Sequence, residues 1–150
     1  MNGMAETLHV LIVEDSEDDA RLIVRHLAKA GFDPVHERVE TAKAMGDALE
    51  DKTWDVILCD YNLPGFGVPL ALRVLKDAHL DLPLIVVSGV IGEEKAADLM
   101  RAGAHDLILK DNLSRLVPAI ERELREAVER REHRRAEEAL RKNEPPPETG

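Results

Sequence analysis

Residues 56–65 have the sequence VILCDYNLPG, in which an apolar run ends at one carboxylate. Four successive apolar residues, three of them Val, Ile or Leu, are typical of a short strand buried on both faces. Pro64 and Gly65 then favour a turn. The pattern predicts that Asp60 lies at the carboxyl end of a central strand, where open parallel sheets place their ligand crevices. An aspartate there can bind a metal, act as an acid or base, or attack phosphorus, but it can also simply cap the loop.

The composition indicates one domain of ordinary size with an appendage, since the chain has 150 residues, of which 44% are apolar. The net charge of -10 argues against direct binding to nucleic acid, because phosphate contact needs a basic face. Cys59 is the single cysteine, so no intrachain disulfide can form, as suits a reducing cytoplasm. The sequence has neither a membrane-spanning apolar run nor a signal peptide. We therefore expect a soluble, cytoplasmic protein that does not bind membranes.

Apolar runs and amphipathic segments alternate along the chain. Further strands are predicted at 8–13, 34–39, 82–87 and 106–110, and Pro34 favours an edge position for the second of them. Helices are predicted from an N-cap at Ser16 to Gly31, after Thr41, at 70–78, at 93–101, and after Asp111 or Asn112. This alternation predicts an α/β fold with a five-stranded parallel sheet, flavodoxin-like order 2-1-3-4-5, and helices on both faces.

Polar residues follow the carboxyl ends of several predicted strands. Glu14 and Asp15 follow the first strand, Asp60 and Ser88 follow the third and fourth, and Lys110 ends the fifth. Carboxylates crowded at one sheet edge are costly unless a cation joins them, and Mg²⁺ prefers such oxygen ligands. A hydroxyl and an ammonium beside them suit a phosphoryl group. Each residue alone is weak evidence, but together they predict an aspartate that becomes phosphorylated.

The stretch 8–124 resembles the receiver domain of two-component response regulators. The pieces that carry the resemblance are Glu14-Asp15, Asp60 with Leu63-Pro64, Ser88-Gly89, Ala102-Gly103-Ala104 and Lys110. The segment Lys-Asp-Asn-Leu at 110–113 is similar to receivers attached to PAS-containing sensor kinases. The resemblance implies that Asp60 accepts a phosphoryl group from a sensor histidine kinase or a phosphotransfer protein. It also implies a phosphorelay signalling module rather than an enzyme, since it would catalyse only its own phosphorylation and dephosphorylation.

The resemblance further implies the metal site and the roles of the remaining polar residues. Asp15, Asp60 and the backbone carbonyl of Asn62 would bind Mg²⁺, with Glu14 acting indirectly, through water or by positioning. By the same resemblance, Ser88 would hydrogen-bond a phosphoryl oxygen and shift when the group arrives. Lys110 would form an ion pair with a second phosphoryl oxygen.

Three positions depart from the family pattern. Leu107 stands where the family commonly has Tyr or Phe, and Asp111 stands where it often has Pro. In the loop at 66–69, Val68 stands where the usual pattern has a glycine. We therefore expect a trans peptide after Lys110, because a non-proline cis bond costs about 2.5–4 kcal/mol. We also expect the response to phosphorylation to be carried by the backbone after Ser88 and by the last helix, rather than by a turning aromatic ring.

Helical sequence continues beyond the length that a receiver needs. Residues 121–142 have no Pro or Gly and contain seven acids and eight bases. We predict a receiver domain at 7–125, a helical extension at 126–143, and a disordered tail at 144–150. The extension is either a solvated single helix or a coiled coil that makes the protein a homodimer. Such pairing is expected to bury Ile120, Leu124, Ala127 and Val128.

Two alternative functions fit parts of the pattern. A pseudo-receiver would keep the fold for scaffolding or dimerisation without phosphate turnover, but the intact carboxylates, Ser88 and Lys110 oppose it. An enzyme resembling dehalogenase-like phosphatases would need a second aspartate two residues after the nucleophile. Asn62 occupies that position, which counts against this hypothesis.

Overall fold

The computed structural model describes residues 6–143, which form a five-stranded parallel sheet of order β2-β1-β3-β4-β5 with helices on both faces. The elements in chain order are β1 (Glu6–Val13), α1 (Glu17–Lys29), β2 (Phe32–Val39), α2 (Ala42–Asp51), β3 (Val56–Asp60), α3 (Val68–Asp77), β4 (Leu84–Ser88), α4 (Glu93–Ala102), β5 (Asp106–Leu109), a 3₁₀ turn (Leu113–Arg115) and α5 (Leu116–Asn143). The predicted fold class and strand order are confirmed. Within residues 6–143, no helix combines the length and apolar character needed to cross a membrane.

Alternating strand residues divide the core into two layers. One layer joins the sheet to α2, α3 and α4, and its strand residues include Leu11, Ile57 and Val86. The other layer joins the sheet to α1 and α5, through residues such as Ile12, Leu58, Val87 and Ile108. Every residue of β3 and β4 is buried, as the continuous apolar runs predict. The carboxyl ends of these two strands therefore open at the centre of one sheet edge.

The predicted N-caps of the first two helices are confirmed. Ser16 Oγ accepts a hydrogen bond from the Asp19 backbone at 3.2 Å, and Thr41 Oγ1 accepts one from Ala44 at 3.1 Å. These bonds satisfy donors that the first helical turn leaves free. The α4 helix ends at Gly103, whose φ of 118° lies in the left-handed region that favours glycine.

Several predicted boundaries differ from the observed ones. Helix α3 begins at Val68 instead of residue 70, because Pro69 is tolerated in a first helical turn. Strand β4 begins at Leu84, directly after Pro83, which lacks an N–H for the ladder. Strand β2 begins at Phe32 and pairs with β1 along its whole length, but it lies at the predicted edge of the sheet.

The start of the last helix was predicted incorrectly. A 3₁₀ turn separates Asn112 from α5, and the Asn112 side chain accepts a hydrogen bond from Ser114 Oγ at 2.8 Å instead of capping the helix. The peptide bond after Lys110 is trans, as expected, since residues 6–143 contain no cis bond.

The extended C-terminal helix is confirmed, and α5 continues without interruption through the predicted boundary at 125–126. Its 28 residues span about 42 Å at 1.5 Å per residue. Ile120 and Ala127 are buried against the rest of the same chain, so the expectation that pairing would bury them is wrong. Val128 is 45% exposed, and residues 131–142 are all exposed. The predicted tail at 144–150 lies outside the described residues.

Candidate functional site

Four strands bring the predicted site residues to one edge of the sheet. Glu14 and Asp15 directly follow β1, whereas Asp60 and Ser88 are the last residues of β3 and β4. Lys110 directly follows β5. Because the strands are parallel, their carboxyl ends share this edge, and the topology alone brings together residues that are distant in sequence.

The Lys110 ammonium is the centre of the cluster. Its Nζ lies 3.0 Å from Glu14 Oε1, 3.3 Å from Asp60 Oδ1 and 2.7 Å from Asp19 Oδ2. The backbone N–H of Lys110 donates to the carbonyl oxygen of Ser88 at 2.6 Å, which holds the loop after β5 against the end of β4. One cation is thus shared among three carboxylates at the carboxyl end of the sheet.

Glu14 is almost completely enclosed, with 1% of its surface exposed. Burial raises the pKa of Glu14 to about 7, and the neighbouring carboxylate of Asp60 also raises it, whereas Lys110 opposes the shift. The second oxygen, Oε2, is buried without a hydrogen-bond partner in the described structure. A buried, unpartnered carboxylate oxygen is costly, so this side chain suits a site that receives a cation or a proton.

The charge on Lys110 is secured by its neighbours. Burial alone lowers its pKa, but hydrogen bonds to Asp19 and Glu14 and the charge of Asp60 outweigh burial and raise the pKa above the ordinary value. The hydrogen bond from Lys110 in turn lowers the pKa of Asp19. The lysine is therefore a permanent cation near neutral pH.

Asp19 is the cluster residue that sequence reasoning missed as a functional candidate. Its position three residues after Ser16 indicates only a helix N-terminus, and its backbone does satisfy that cap. Its side chain instead contacts Lys110. The available signal was helical spacing, since Asp19 lies four residues before the buried Ile23 and therefore on the inward side of α1.

Three oxygen donors lie close enough together to hold a metal ion. Glu14, Asp15 and Asp60 each offer a carboxylate oxygen, and these atoms lie within 4.8 Å of one another. Glu14 and Asp60 are buried, whereas Asp15 is exposed to solvent. The Asn62 backbone N–H donates to Asp60 Oδ1 at 3.4 Å, so the loop after β3 folds back beside the cluster. Hard oxygen ligands, one of them open to water, fit Mg²⁺.

Ser88 is buried at the same edge of the sheet as Asp60, but the two residues are not in register. Val87, not Ser88, is the register partner of Asp60, and Val87 packs in the layer formed with α1 and α5. Adjacent side chains of a strand point to opposite faces, so the Ser88 side chain starts from the opposite face to Asp60.

Comparisons with known proteins agree with this geometry. The family model described as the response regulator receiver domain matches residues 10–121. Chemotaxis protein CheY1 of Helicobacter pylori is 25% identical over 105 residues, which cover 69% of this chain and 85% of CheY1. Transcriptional regulatory protein PrrA of Mycobacterium tuberculosis is 33% identical over 104 residues, covering 67% of this chain and 42% of PrrA. The crystal structure of NtrX from Brucella abortus superposes with a TM-score of 0.74 at 27% identity, covering 89% of this chain and 30% of NtrX.

Proposed function

This chain belongs to the response regulator receiver domain family, and we propose on that premise that Asp60 accepts a phosphoryl group from a histidine kinase or a phosphotransfer protein. The observation that supports this most strongly is the ion pair between Lys110 and Asp60, at 3.3 Å, in a cluster of enclosed carboxylates. The net charge of -10 favours a protein partner over nucleic acid. The proposal places the protein in the cytoplasm, where its buried cysteine stays reduced.

In the proposed transfer, a carboxylate oxygen of Asp60 attacks the phosphorus of a phosphohistidine. The new P–O bond forms as the P–N bond breaks, and the leaving electron pair returns to the imidazole nitrogen. Lys110 is held beside Asp60 by Glu14 and Asp19, so its ammonium can pair with a phosphoryl oxygen without first being ordered. Ser88 would donate a hydrogen bond to another phosphoryl oxygen and would shift when the group arrives.

The same acidic cluster is the proposed Mg²⁺ site. Asp15, Asp60 and the backbone carbonyl of Asn62 would hold the ion, and Glu14 would act indirectly through water or by positioning. When bound, Mg²⁺ supplies positive charge that offsets the charges of the aspartate and the phosphoryl group. The unpartnered oxygen of Glu14 supports this assignment, because hydration water of the ion would give it a hydrogen-bond donor.

The alternative is a pseudo-receiver that scaffolds or dimerises without phosphate turnover. Leu107, which packs against the α2–α4 layer where the family commonly has an aromatic residue, keeps this alternative open. The enclosed Glu14 argues against it. A scaffold gains nothing from a buried carboxylate oxygen without a partner, whereas a metal site does.

We also propose that the protein is a homodimer joined through α5. Residues 131–142 of this helix are exposed throughout, and a charged helix of that length, held to the body by the ion pair of Arg134 with Asp81, is marginal in water. Pairing would stabilise this part of the helix. The dimer would use side chains that the body leaves uncovered, since Ile120 and Ala127 are already buried.

Mass spectrometry of the intact protein after incubation with acetyl phosphate and Mg²⁺ tests the phosphoacceptor. The wild-type chain should gain one acid-labile phosphoryl group, Asp60→Asn should gain none, and Asp47→Asn, an exposed acid on α2, should behave like wild type. Undiminished labelling of Asp60→Asn would refute the assignment. A wild-type chain that stays unlabelled, with both acetyl phosphate and a phosphorylated kinase domain, would favour the pseudo-receiver.

A further inference from the structure

One stripe of α5 faces the body of its own chain for most of the helix length. Its members, which recur at alternating spacings of four and three residues, are Leu116, Ile120, Glu123, Ala127, Arg130 and Arg134. This spacing is the seam pattern of helices that pack along their length. The first four members are buried, and the two arginines extend the stripe beyond the apolar core.

Both arginines bind Asp81, in the loop between α3 and β4. Arg130 approaches the carboxylate with two nitrogens, Nε to Oδ2 at 3.1 Å and Nη2 to Oδ1 at 3.2 Å. Arg134 Nη2 lies 2.6 Å from Oδ2. The hydrogen bond from Arg130 lowers the pKa of Asp81, and its side chain is 30% exposed. A two-point guanidinium contact reinforced by a second arginine is stronger than an ordinary surface ion pair.

Strand β4 connects this contact to the candidate site. Asp81 lies three residues before β4 begins, and Ser88 is the last residue of the same strand. All of β4 is buried between β3 and β5, so a displacement at one end is transmitted along a closely packed strand. The pull that the proposed phosphoryl group would exert on Ser88 therefore acts on the strand that also positions Asp81.

We propose that Asp81, Arg130 and Arg134 form a latch that holds the second half of α5 on the receiver body, and that phosphorylation at Asp60 loosens it through β4. The closed latch fixes which side of the helical extension faces outward. Opening it releases residues 128–142 and makes their conformation the output of the domain. The coupling rests on the proposed function, whereas the latch itself does not.

Hydrogen exchange of the full-length chain, measured by mass spectrometry, tests the latch without phosphorylation. Asp81→Asn should speed exchange of the amides at 130–142 by roughly three- to tenfold, because both arginines lose their carboxylate. Asp98→Asn breaks the exposed 2.8 Å pair with Arg101 on α4 and should leave these amides unchanged. In the wild type, 1 M salt should speed the same amides, and in Asp81→Asn the effect of salt should be smaller, since only pairs within the helix such as His133–Glu137 remain to be screened. Equal exchange at 130–142 in wild type and Asp81→Asn, or no salt effect in the wild type, would overturn the latch.

A second arm tests the coupling in the same protein. Beryllofluoride with Mg²⁺, used as a phosphoryl mimic, should speed exchange at 130–142 in the wild type but add nothing in Asp81→Asn. If the mimic changes exchange after Ser88 while 130–142 stays unchanged, the coupling through β4 is wrong and the latch is purely structural. Failure of the mimic to change any amide, together with no labelling of Asp60, identifies failure of the proposed function instead.

Discussion

The ammonium of Lys110 lies 3.0 Å from the carboxylate of Glu14, a residue 96 positions earlier in the chain. Glu14 follows β1 and Lys110 follows β5, with β3 and β4 between these strands in the sheet. The lysine therefore reaches across the carboxyl ends of both central strands and passes beside Asp60. The ion pair of Lys110 with Glu14 spans the carboxyl ends of the central strands. Its removal should therefore lower the stability of the fold as well as impair the proposed phosphorylation of Asp60.

Replacement of Lys110 by glutamine should lower the free energy of unfolding by about 1–3 kcal/mol near neutral pH without divalent cations. The physical reason is that the carboxylates of Glu14 and Asp60 lose their shared counter-charge in a buried site. Urea denaturation checks this. Lys43→Gln removes a fully solvated pair with Asp47 and serves as the matched control, with little change expected. Equal stability of the two variants would show that Lys110 does not balance the buried acids.

Mg²⁺ should stabilise the folded chain, and the stabilisation should depend on Asp15. At a Mg²⁺ concentration of about 100 times the dissociation constant, the gain is about 2.7 kcal/mol. Asp15→Asn should weaken the affinity by roughly tenfold or more, because it removes one of the clustered oxygen donors. Calorimetric titration measures the affinity for Mg²⁺, and urea denaturation with and without Mg²⁺ measures the stabilisation. Asp18→Asn alters an exposed acid three residues away and should bind Mg²⁺ like the wild type; loss of binding in both variants would indicate only a general effect of negative charge.

The stabilisation by Asp81 should disappear at acid pH. Its pKa in the folded chain is lowered by Arg130, so the ionised form is favoured by folding. The contribution is fully present above the unfolded pKa of about 3.9 and is lost as the pH falls through the lower folded pKa. Wild type should exceed Asp81→Asn by roughly 0.5–1.5 kcal/mol at pH 7, and the difference should shrink as the pH falls below the unfolded pKa of about 3.9. A difference that stays constant between pH 7 and pH 3 would exclude a charge effect at Asp81.

The fold could be predicted because its deciding signals are local. The continuous apolar run of β3 and the N-caps at Ser16 and Thr41 act within a few residues, and short connections leave few topologies for such elements. The helix and strand boundaries that were predicted incorrectly lie where a proline or a capping residue fits both a helix and a turn. Pro69 reads as a break in the pattern but is accommodated in the first turn of α3.

The site could be predicted only in part. Strand ends are placed by topology, so Asp60 and Lys110 could be expected to meet. The contacts of Asp19 and Asp81 could not be predicted from strand ends. Asp19 meets Lys110, and Asp81 meets the arginines of α5, only because a helix packs against the sheet. The sequence spacing of Arg130 and Arg134 is equally typical of a solvated helix face, and only the path of α5 past the start of β4 brings them to Asp81.

The homodimer should be joined through the side of α5 opposite to the latch. At 100° per residue, Val128, Ala136 and Ala139 lie about 140–160° around the helix from the mean direction of Arg130 and Arg134, and Leu140 lies on the flank, at about 100°. Val128 and Leu140 are 45% and 66% exposed, which makes them the large apolar side chains available for pairing on this helix.

Val128→Lys and Leu140→Lys should each weaken the dimer by roughly tenfold, because each loses about 1.4 kcal/mol or more of apolar burial and places like charges in contact. Val35→Lys is the matched control, since Val35 is 44% exposed but lies on the edge strand β2. Light scattering across the micromolar range measures the association. If the wild-type chain is monomeric at high micromolar concentration, with and without beryllofluoride, α5 does not pair. If Val35→Lys weakens the dimer as much as Val128→Lys, the copies associate through another surface, and α5 serves only the latch.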